Sequence, residues 1–199
     1  MQARHEYKHS LNCADYIICR DRLKRAMRRD SHADENGEYR VRSLYFDTPS
    51  DKALREKIDG VDRREKFRVR RYIGGDGFMV LEKKSKLHGL CYKRSCPFSG
   101  YELAFLEKGD LQWMSQDSRD LVRELYFKMM YEQLRPKTIV EYIREPFVYP
   151  AGNVRVTFDR DIRTGLFSTD FMNDSVPTAK AGDELVLLEV KYDQFIPDF

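Results

Sequence analysis

Apolar and polar residues alternate with a period of two along much of the chain, which is typical of β-strands whose two faces differ. Seven clear strands are predicted at residues 39–47, 64–73, 78–86, 90–96, 138–144, 153–160 and 185–192. Turn-forming residues separate them, and residues 74–77 predict the turn of a hairpin. Residues 165–182 indicate a loop or a weak strand.

Apolar residues with helical spacing occur in fewer segments. Helices are predicted at residues 16–29, 50–58, 100–106 and 117–133. Asn12 is a suitable N-cap for the first helix, and the last helix places Leu121, Leu125 and Met129 on one face. Residues 126–131, rich in aromatic residues and methionine, are expected to form a buried face of that helix.

The order of these elements predicts the fold class. Strands outnumber helices, and the chain shows neither a βαβ rhythm nor a Gly-rich phosphate loop. The sequence therefore predicts an α+β fold, with an antiparallel sheet and helices packed on its outside. Asp47, followed by Thr48 and Pro49, is expected to end a strand rather than to act as a catalytic acid.

Charged residues lie on the strands, each charged face opposing an apolar one. Arg68, Arg70 and Tyr72 share a face, while Phe67 and Val69 point the other way. Four further charged faces carry Arg4, Glu6 and Lys8; Glu82, Lys84 and Lys86; Arg155, Thr157, Asp159 and Asp161; and Glu189 and Lys191. One such strand is typical of an ordinary amphipathic sheet, but five, with helices to cover the apolar faces, predict a closed barrel with a polar lumen.

Composition narrows the class of protein. The 36 basic and 33 acidic residues make 35% of the 199 residues charged, yet the net charge is only +3. Together with 12 Phe and 12 Tyr, this balance excludes a disordered single-sign tail. No segment approaches the ~18 consecutive apolar residues of a membrane span, and no signal core is visible. We expect a single cytoplasmic domain over residues 1–199, with Cys13, Cys19, Cys91 and Cys96 as reduced thiols.

A lumen lined by like charges is costly to bury unless those charges are paired. It is therefore expected to hold a long or multiply charged anion. Arginine binds phosphate oxygens bidentately and lysine acts as a point charge, so phosphates are the favoured ligands. The few carboxylates would then hold Mg²⁺ or Mn²⁺ bridging to those phosphates.

The motifs of this chain resemble those of a known family. They are Ser-Leu-Tyr-Phe-Asp at residues 43–47, Phe-Arg-Val-Arg-Arg-Tyr at 67–72, Leu-Glu-Lys-Lys at 81–84, Tyr-Ile-Arg at 142–144, Arg-Val-Thr-Phe-Asp at 155–159 and Leu-Glu-Val-Lys-Tyr at 188–192. In this order they resemble the bacterial VTC-type polyphosphate polymerase domain of the CYTH-like triphosphate tunnel superfamily. The resemblance implies a tunnel of about eight antiparallel strands. It also implies transfer of the γ-phosphoryl group of ATP to a growing inorganic polyphosphate chain.

The resemblance also implies roles for individual residues. Lys8, Arg68, Arg70, Lys84 and Arg144 are the catalytic candidates, Arg4, Tyr72, Lys86, Lys93, Arg155 and Lys191 are the substrate-binding candidates, and Glu189, Glu6 and Glu82 are the candidate ligands of Mn²⁺ or Mg²⁺. Arg94 competes with Lys93 for its role, because adjacent strand residues face opposite ways. The family also implies a further helix beyond Phe199, which is expected to be missing from this chain.

Arg4 bears on the choice between activities. Residues 4–8 read Arg-x-Glu-x-Lys, which resembles the Glu-x-Glu-x-Lys opening of the hydrolytic tunnel enzymes except at Arg4. The change removes a metal ligand and favours a polymerase. A tunnel-type triphosphatase and a non-catalytic polyphosphate-binding module remain open alternatives. Nucleic-acid binding is disfavoured by the near-neutral charge balance.

Overall fold

The computed structural model describes residues 4–74, 77–182 and 185–197, and within them the chain is an α+β fold built on one antiparallel sheet. The strands are β1 (His5–Leu11), β2 (Arg28–Arg29), β3 (Tyr39–Asp47), β4 (Arg64–Ile73), β5 (Met79–Leu87), β6 (Leu90–Phe98), β7 (Arg135–Tyr149), β8 (Val154–Thr164), β9 (Ala179–Lys180) and β10 (Val186–Tyr192). The helices are α1 (Cys13–Ala26), α2 (Lys52–Ile58), α3 (Gly100–Glu107) and α4 (Asp120–Glu132), with short 3₁₀ turns at Gln112–Gln116 and Ala151–Asn153.

Eight strands form the main path of the sheet, in the order β1-β10-β8-β7-β3-β4-β5-β6. The short strands β2 and β9 pair with β7 and β8. At the two ends of this path, β1 and β6 meet through one isolated bridge, in which Arg4 and Cys91 exchange two backbone hydrogen bonds of 3.4 Å. No continuous ladder joins β1 to β6 in the described residues, so the predicted closed barrel is corrected to a sheet that curls round without being closed.

The apolar outer face of the sheet is covered by helices in two separate places. A large apolar cluster joins β3, β4, β5 and β6 to α3 and α4, with Leu44, Phe67, Leu81, Leu103 and Leu125 among its buried residues. A smaller apolar cluster joins β7, β8 and β10 to α1. Because each strand alternates, this outward burial leaves the opposite, charged faces turned to the inside of the curl.

Most predicted elements agree with the structure, and two differ for clear reasons. The first helix ends at Ala26 rather than at residue 29, because Met27 is buried and Arg28–Arg29 form a strand on Phe147 and Val148. Strand β6 continues through Pro97, which has no backbone N–H. An edge strand tolerates proline because no further strand needs that donor. The predicted turn at residues 74–77 and the chain end at 196–199 lie partly outside the described residues.

The prediction of a buried face at residues 126–131 is wrong. Phe127 is 50% exposed, Met130 55% and Tyr131 82%, and only Tyr126 and Met129 pack against the large apolar cluster. Helix α4 instead buries Leu121, Val122 and Leu125. A cluster of aromatic residues is buried only where a neighbouring element covers it, and none covers Phe127, Met130 and Tyr131 among the described residues.

Two further predictions concern membrane spans and the cysteine thiols. No α-helix within the described ranges is long and apolar enough to cross a membrane. Cys13, Cys19, Cys91 and Cys96 are all free thiols.

Asp47 is a structural residue at the end of β3. Its buried carboxylate accepts backbone hydrogen bonds from Thr48 at 2.8 Å, Ala53 at 2.9 Å and Leu54 at 3.1 Å. It therefore satisfies N–H groups at the start of α2 that would otherwise have no partner.

We predict that Asp47→Ala lowers the free energy of unfolding by about 2 kcal/mol, because these amides lose their acceptor. Urea denaturation measures the change. The matched control, Asp21→Ala on an exposed position of α1, is expected to change the free energy by less than about 0.5 kcal/mol. Equal stabilities for the two variants would contradict this role.

Candidate functional site

Eight strands contribute side chains to one charged interior, called the lumen below. Its residues are Glu6, Lys8, Tyr39, Ser43, Tyr45, Lys66, Arg68, Arg70, Tyr72, Glu82, Lys84, Lys86, Lys93, Tyr142, Arg144, Arg155, Thr157, Asp159, Glu189 and Lys191. Contacts between strands that are not neighbours in the sheet establish the convergence. Arg144 of β7 lies 3.4 Å from Glu189 of β10, and Lys84 of β5 lies 3.8 Å from Glu6 of β1.

Glu82 is the centre of one group of charges. Its carboxylate accepts from Arg68 Nε at 2.6 Å and lies 2.5 Å from Lys93 Nζ and 3.9 Å from Arg70 Nη1. Burial alone would raise the pKa of Glu82, but these three cations outweigh it and hold the pKa well below its usual range. Glu82 is 1% exposed, so it is a buried anion that neutralises the arginines around it.

Glu6 and Glu189 form a second group. Lys8 Nζ lies 3.2 Å from Glu6 Oε1 and 3.3 Å from Glu189 Oε1, so it bridges the two carboxylates. Lys191 Nζ lies 2.9 Å from Glu189 Oε2 and 3.8 Å from Glu6 Oε2. Burial would raise the pKa of Glu189, but Lys191, Lys8 and Arg144 lower it far below its usual range. Glu189 is therefore anionic at neutral pH.

Arg144 is held by Asp159, which the sequence places on a charged strand face but not among the catalytic, substrate-binding or metal-binding candidates. Asp159 accepts from its Nε and Nη2 atoms, both at 2.6 Å, which is the bidentate geometry of a strong ion pair. The guanidinium carbon lies 5.1 Å from the centre of the Tyr142 ring. The alternation of side chains along β8 could have identified Asp159 as a lumen residue, because it shares its face with Arg155 and Thr157.

Further lumen residues were not among the predicted candidates: Tyr39, Ser43, Tyr45, Lys66, Tyr142 and Thr157. Lys66 and Tyr45 have the clearest roles, and Tyr45 lies within a quoted motif. Lys66 precedes Arg68 by two residues, and its Nζ lies 5.4 Å from the centre of the Tyr45 ring. The Tyr45 hydroxyl accepts from Arg68 Nη1 at 2.9 Å. Burial would raise the pKa of Tyr45, but the charges of Arg68, Lys66 and Arg70 lower it to about 7.

Several lumen atoms are buried without a hydrogen-bond partner among the described residues. They are Arg70 Nε, Ser43 Oγ, Thr157 Oγ1 and Glu189 Oε1. A buried polar atom without a partner costs free energy, so in native proteins such atoms usually meet water or a ligand. The unpaired N–H of Arg70 in particular is suited to an anion.

Other candidates take different positions. Arg4 pairs with Asp193 at 2.9 Å and donates to the carbonyl of Asn153, and no contact joins it to the other candidates among the described residues. Lys86 shares the face of Lys84, where its register partner is Cys91. Arg155 and Tyr72 lie at one end of the lumen beside Tyr39.

Lys93 and Arg94 point to opposite faces of the sheet. Arg94 Nη1 lies 2.7 Å from Glu124 of α4, on the outer face of the sheet, whereas Lys93 reaches Glu82 inside the lumen. Lys93 is therefore the residue of this pair that belongs to the lumen.

The three candidate metal ligands differ in how well they suit a divalent cation. Both oxygens of Glu82 are engaged, by Arg68 and by Lys93, so this residue does not fit. Glu189 Oε1 is buried and accepts no well-directed hydrogen bond, and Glu6 lies across Lys8 from it. Among the described residues no group of three or more His, Cys, Asp or Glu is placed to hold a metal. Glu189 with Glu6 fits Mg²⁺ or Mn²⁺ only if phosphate or water oxygens complete the ligand set.

The family is decided by comparison with known sequences. A family model described as the VTC domain matches residues 3–199. The chain belongs to the VTC domain family. No curated protein matches this VTC domain in sequence.

Solved structures share the fold of this VTC domain. A provisionally named adenylate cyclase from Bacillus halodurans superposes with a TM-score of 0.57 at 14% identity, covering 96% of this chain and 80% of that one. A second provisionally named adenylate cyclase, from Vibrio parahaemolyticus, gives 0.51 at 10% identity, covering 96% and 76%. At these identities the likeness shows the tunnel-type fold alone.

We predict that Glu82→Gln lowers the free energy of unfolding by about 3 kcal/mol, because it leaves Arg68, Arg70 and Lys93 without their shared anion. Tripolyphosphate should restore more stability to this variant than to the unaltered protein, since the ligand supplies the missing negative charge. Thermal unfolding with and without tripolyphosphate measures both effects.

The matched control is Glu124→Gln on α4, which pairs with Lys83 and Arg94 outside the lumen. It is expected to cost less than about 1 kcal/mol and to respond to tripolyphosphate as the unaltered protein does. If the two variants respond alike, Glu82 does not balance the lumen cations.

Two lumen lysines have a lowered pKa. Burial, followed by the charge of Arg68, lowers the pKa of Lys84 to about 8. Burial, followed by the charge of Lys84, lowers the pKa of Lys191 to about 8. Both are protonated at pH 7 and mostly neutral at pH 9 in the free protein.

We therefore predict that affinity for tripolyphosphate falls as pH rises through 8, by about tenfold per lysine between pH 7 and pH 9 if the bound anion restores each proton. Calorimetric titration at constant ionic strength measures this. Lys191→Arg keeps its charge and should lose its share of the slope. A flat profile from pH 7 to pH 9.5 would rule out this linkage.

Proposed function

We propose that this VTC domain is a polyphosphate polymerase, which transfers the γ-phosphoryl group of ATP to the end of an inorganic polyphosphate chain in the lumen. One observation carries the proposal. The lumen side chains named above include ten basic and four acidic residues, and the buried Nε of Arg70 has no partner among the described residues. Such an excess of inward cations supports a ligand with several negative charges.

Phosphoryl transfer needs alignment of donor and acceptor and neutralisation of charge, rather than covalent chemistry by the protein. A terminal oxygen of the polyphosphate chain attacks the γ-phosphorus of ATP, the bond from that phosphorus to the β,γ-bridging oxygen breaks, and ADP leaves. The attacking oxygen is already anionic, so no general base is required.

The lumen residues divide between the two substrates in this proposal. Arg68 and Arg70 hold the β- and γ-phosphates of ATP, and Arg144 stabilises the charge that develops between donor and acceptor. Lys8 and Lys84 hold the acceptor chain. This division of residues between donor and acceptor agrees with the two groups of charges. Arg68 and Arg70 lie around Glu82, and Lys8 and Lys84 lie around Glu189 and Glu6.

A divalent cation belongs to the same proposal. Glu189, with Glu6, would hold Mg²⁺ or Mn²⁺, which would neutralise charge on the phosphate oxygens when bound. Lys191 and Lys8, which lie against these carboxylates, lower the pKa of Glu189, so that Glu189 is ionised and able to bind a cation. ATP and inorganic polyphosphate are then the partners of the domain, and the cytoplasm, which supplies ATP, is its proposed location.

The products formed from ATP and Mn²⁺ distinguish the proposal from its alternatives. Long phosphate chains, resolved on a gel, are the expected result. Free phosphate without chains would indicate a tunnel-type triphosphatase instead. Binding of polyphosphate with neither product would indicate a binding module. Glu189→Gln is expected to bind polyphosphate and to make none.

We predict that Arg70→Ala lowers the rate of polyphosphate synthesis by about 10²–10³, by analogy with the loss of one pre-organised donor to a transition state. The rate of chain formation from ATP measures the change. Arg71→Ala is the matched control, because Arg71 points out of the lumen and donates to the Phe171 carbonyl at 3.1 Å. Full activity in Arg70→Ala would remove Arg70 from the mechanism.

A further inference from the structure

One end of the lumen carries an aromatic pair, Tyr72 and Tyr39, that the proposed phosphoryl transfer does not use. Tyr72 meets Tyr39 edge to face, with ring centres 5.2 Å apart and an angle of 86° between the planes. Tyr72 is 39% exposed, although it shares its face of β4 with the buried Arg70 and Arg68. An exposed ring at the end of a row of arginines is suited to a ligand that has a flat group beside its charges.

The other tyrosine rings named in the lumen are already occupied. Lys66 and Arg68 lie 5.4 and 5.7 Å from the centre of the Tyr45 ring. Arg144 lies 5.1 Å from the centre of the Tyr142 ring, and Tyr142 is buried. Of the lumen tyrosines described, Tyr72 is therefore the one whose side chain is exposed.

The aromatic pair is held in place by a partly buried hydrogen-bond network. Arg155 Nη2 donates to the Tyr39 hydroxyl at 2.8 Å and lies 2.8 Å from Asp30 Oδ2. Asp30 is buried and accepts from the backbone N–H of His32 at 2.9 Å. Tyr39 is thus held by Arg155, and its ring packs nearly at a right angle against that of Tyr72.

The spacing along β4 matches the parts of a nucleotide. Successive residues on one face of a strand are about 7 Å apart, so Arg70 lies roughly 7 Å and Arg68 roughly 13 Å from Tyr72. A ligand laid along this strand would meet first an aromatic ring, then the unpaired N–H of Arg70, then Arg68. A nucleoside triphosphate carries a flat base at one end and charged phosphates at the other.

We infer that Tyr72, supported by Tyr39, is the surface on which the base of a nucleoside triphosphate stacks. This end of the lumen is then the nucleoside subsite, and Tyr72 is a specificity-determining residue that favours a nucleotide over inorganic triphosphate. The inference rests on the proposed function, because it names the donor that the same lumen binds.

The test compares two ligands that share a triphosphate group, ATP and inorganic tripolyphosphate, by calorimetric titration with the full chain. Tyr72→Leu is expected to weaken ATP binding about tenfold, because base stacking on an aromatic side chain contributes in this range. It should leave tripolyphosphate binding unchanged, and that unchanged affinity also demonstrates an intact fold. Tyr72→Phe keeps the ring and should retain both affinities.

Tyr101→Leu is the matched control, since Tyr101 is an exposed tyrosine on α3 outside the lumen, and neither affinity should change. An equal loss for both ligands in Tyr72→Leu, or no loss for ATP, overturns the nucleoside subsite while leaving the polymerase proposal in place. If the unaltered protein binds neither ligand, both proposals fail. If it binds both ligands with the selective loss but makes no chains, only the polymerase fails.

Discussion

The ion pairs between carboxylates and cations inside the lumen are the interaction on which the rest of the structure depends. Ten cations on inward faces repel one another unless anions lie between them, and Glu6, Glu82, Asp159 and Glu189 provide those anions. A ligand therefore does not enter a bare positive channel, because it has to compete with carboxylates for the same guanidinium and ammonium groups. A single phosphate exchanges few of these pairs, whereas a chain of phosphates replaces several at once, so the arrangement favours polyanions by their length.

The same constraint explains where the apolar residues go. With one face of every main strand turned to the polar lumen, the other face must supply the hydrophobic core, and it does so only where a helix covers it. Helices α3 and α4 cover one part of the sheet and α1 covers another, which is why the two apolar clusters are separate. Asp47, at the end of β3, serves a further helix, because its buried carboxylate accepts hydrogen bonds from N–H groups at the start of α2.

Alternation along the strands made the inward faces predictable, because a period of two is a property of the strand itself. That rule placed Arg68, Arg70 and Glu189 without knowledge of the fold. It did not predict that Glu82 is enclosed by cations or that Arg4 pairs with Asp193, since partners across the curl come from distant parts of the chain. The short strand β2 was not predicted for the same reason, because its partner β7 lies far along the chain. The exposure of Tyr131 was not predictable, because side-chain chemistry alone does not say whether a neighbouring element covers it.

The single bridge between β1 and β6 has a mechanical consequence. Strands elsewhere on the main path are joined by ladders, whereas this pair has two long backbone hydrogen bonds, supplemented by the Lys84–Glu6 contact across the same gap. The two apolar clusters lie on opposite sides of the gap. Separating β1 from β6 would therefore leave both clusters packed, and the molecule would behave as two jaws hinged along β7 and β3. Amide protons at this junction are expected to exchange with solvent well before those of the hinge, because the lumen would open along its side there.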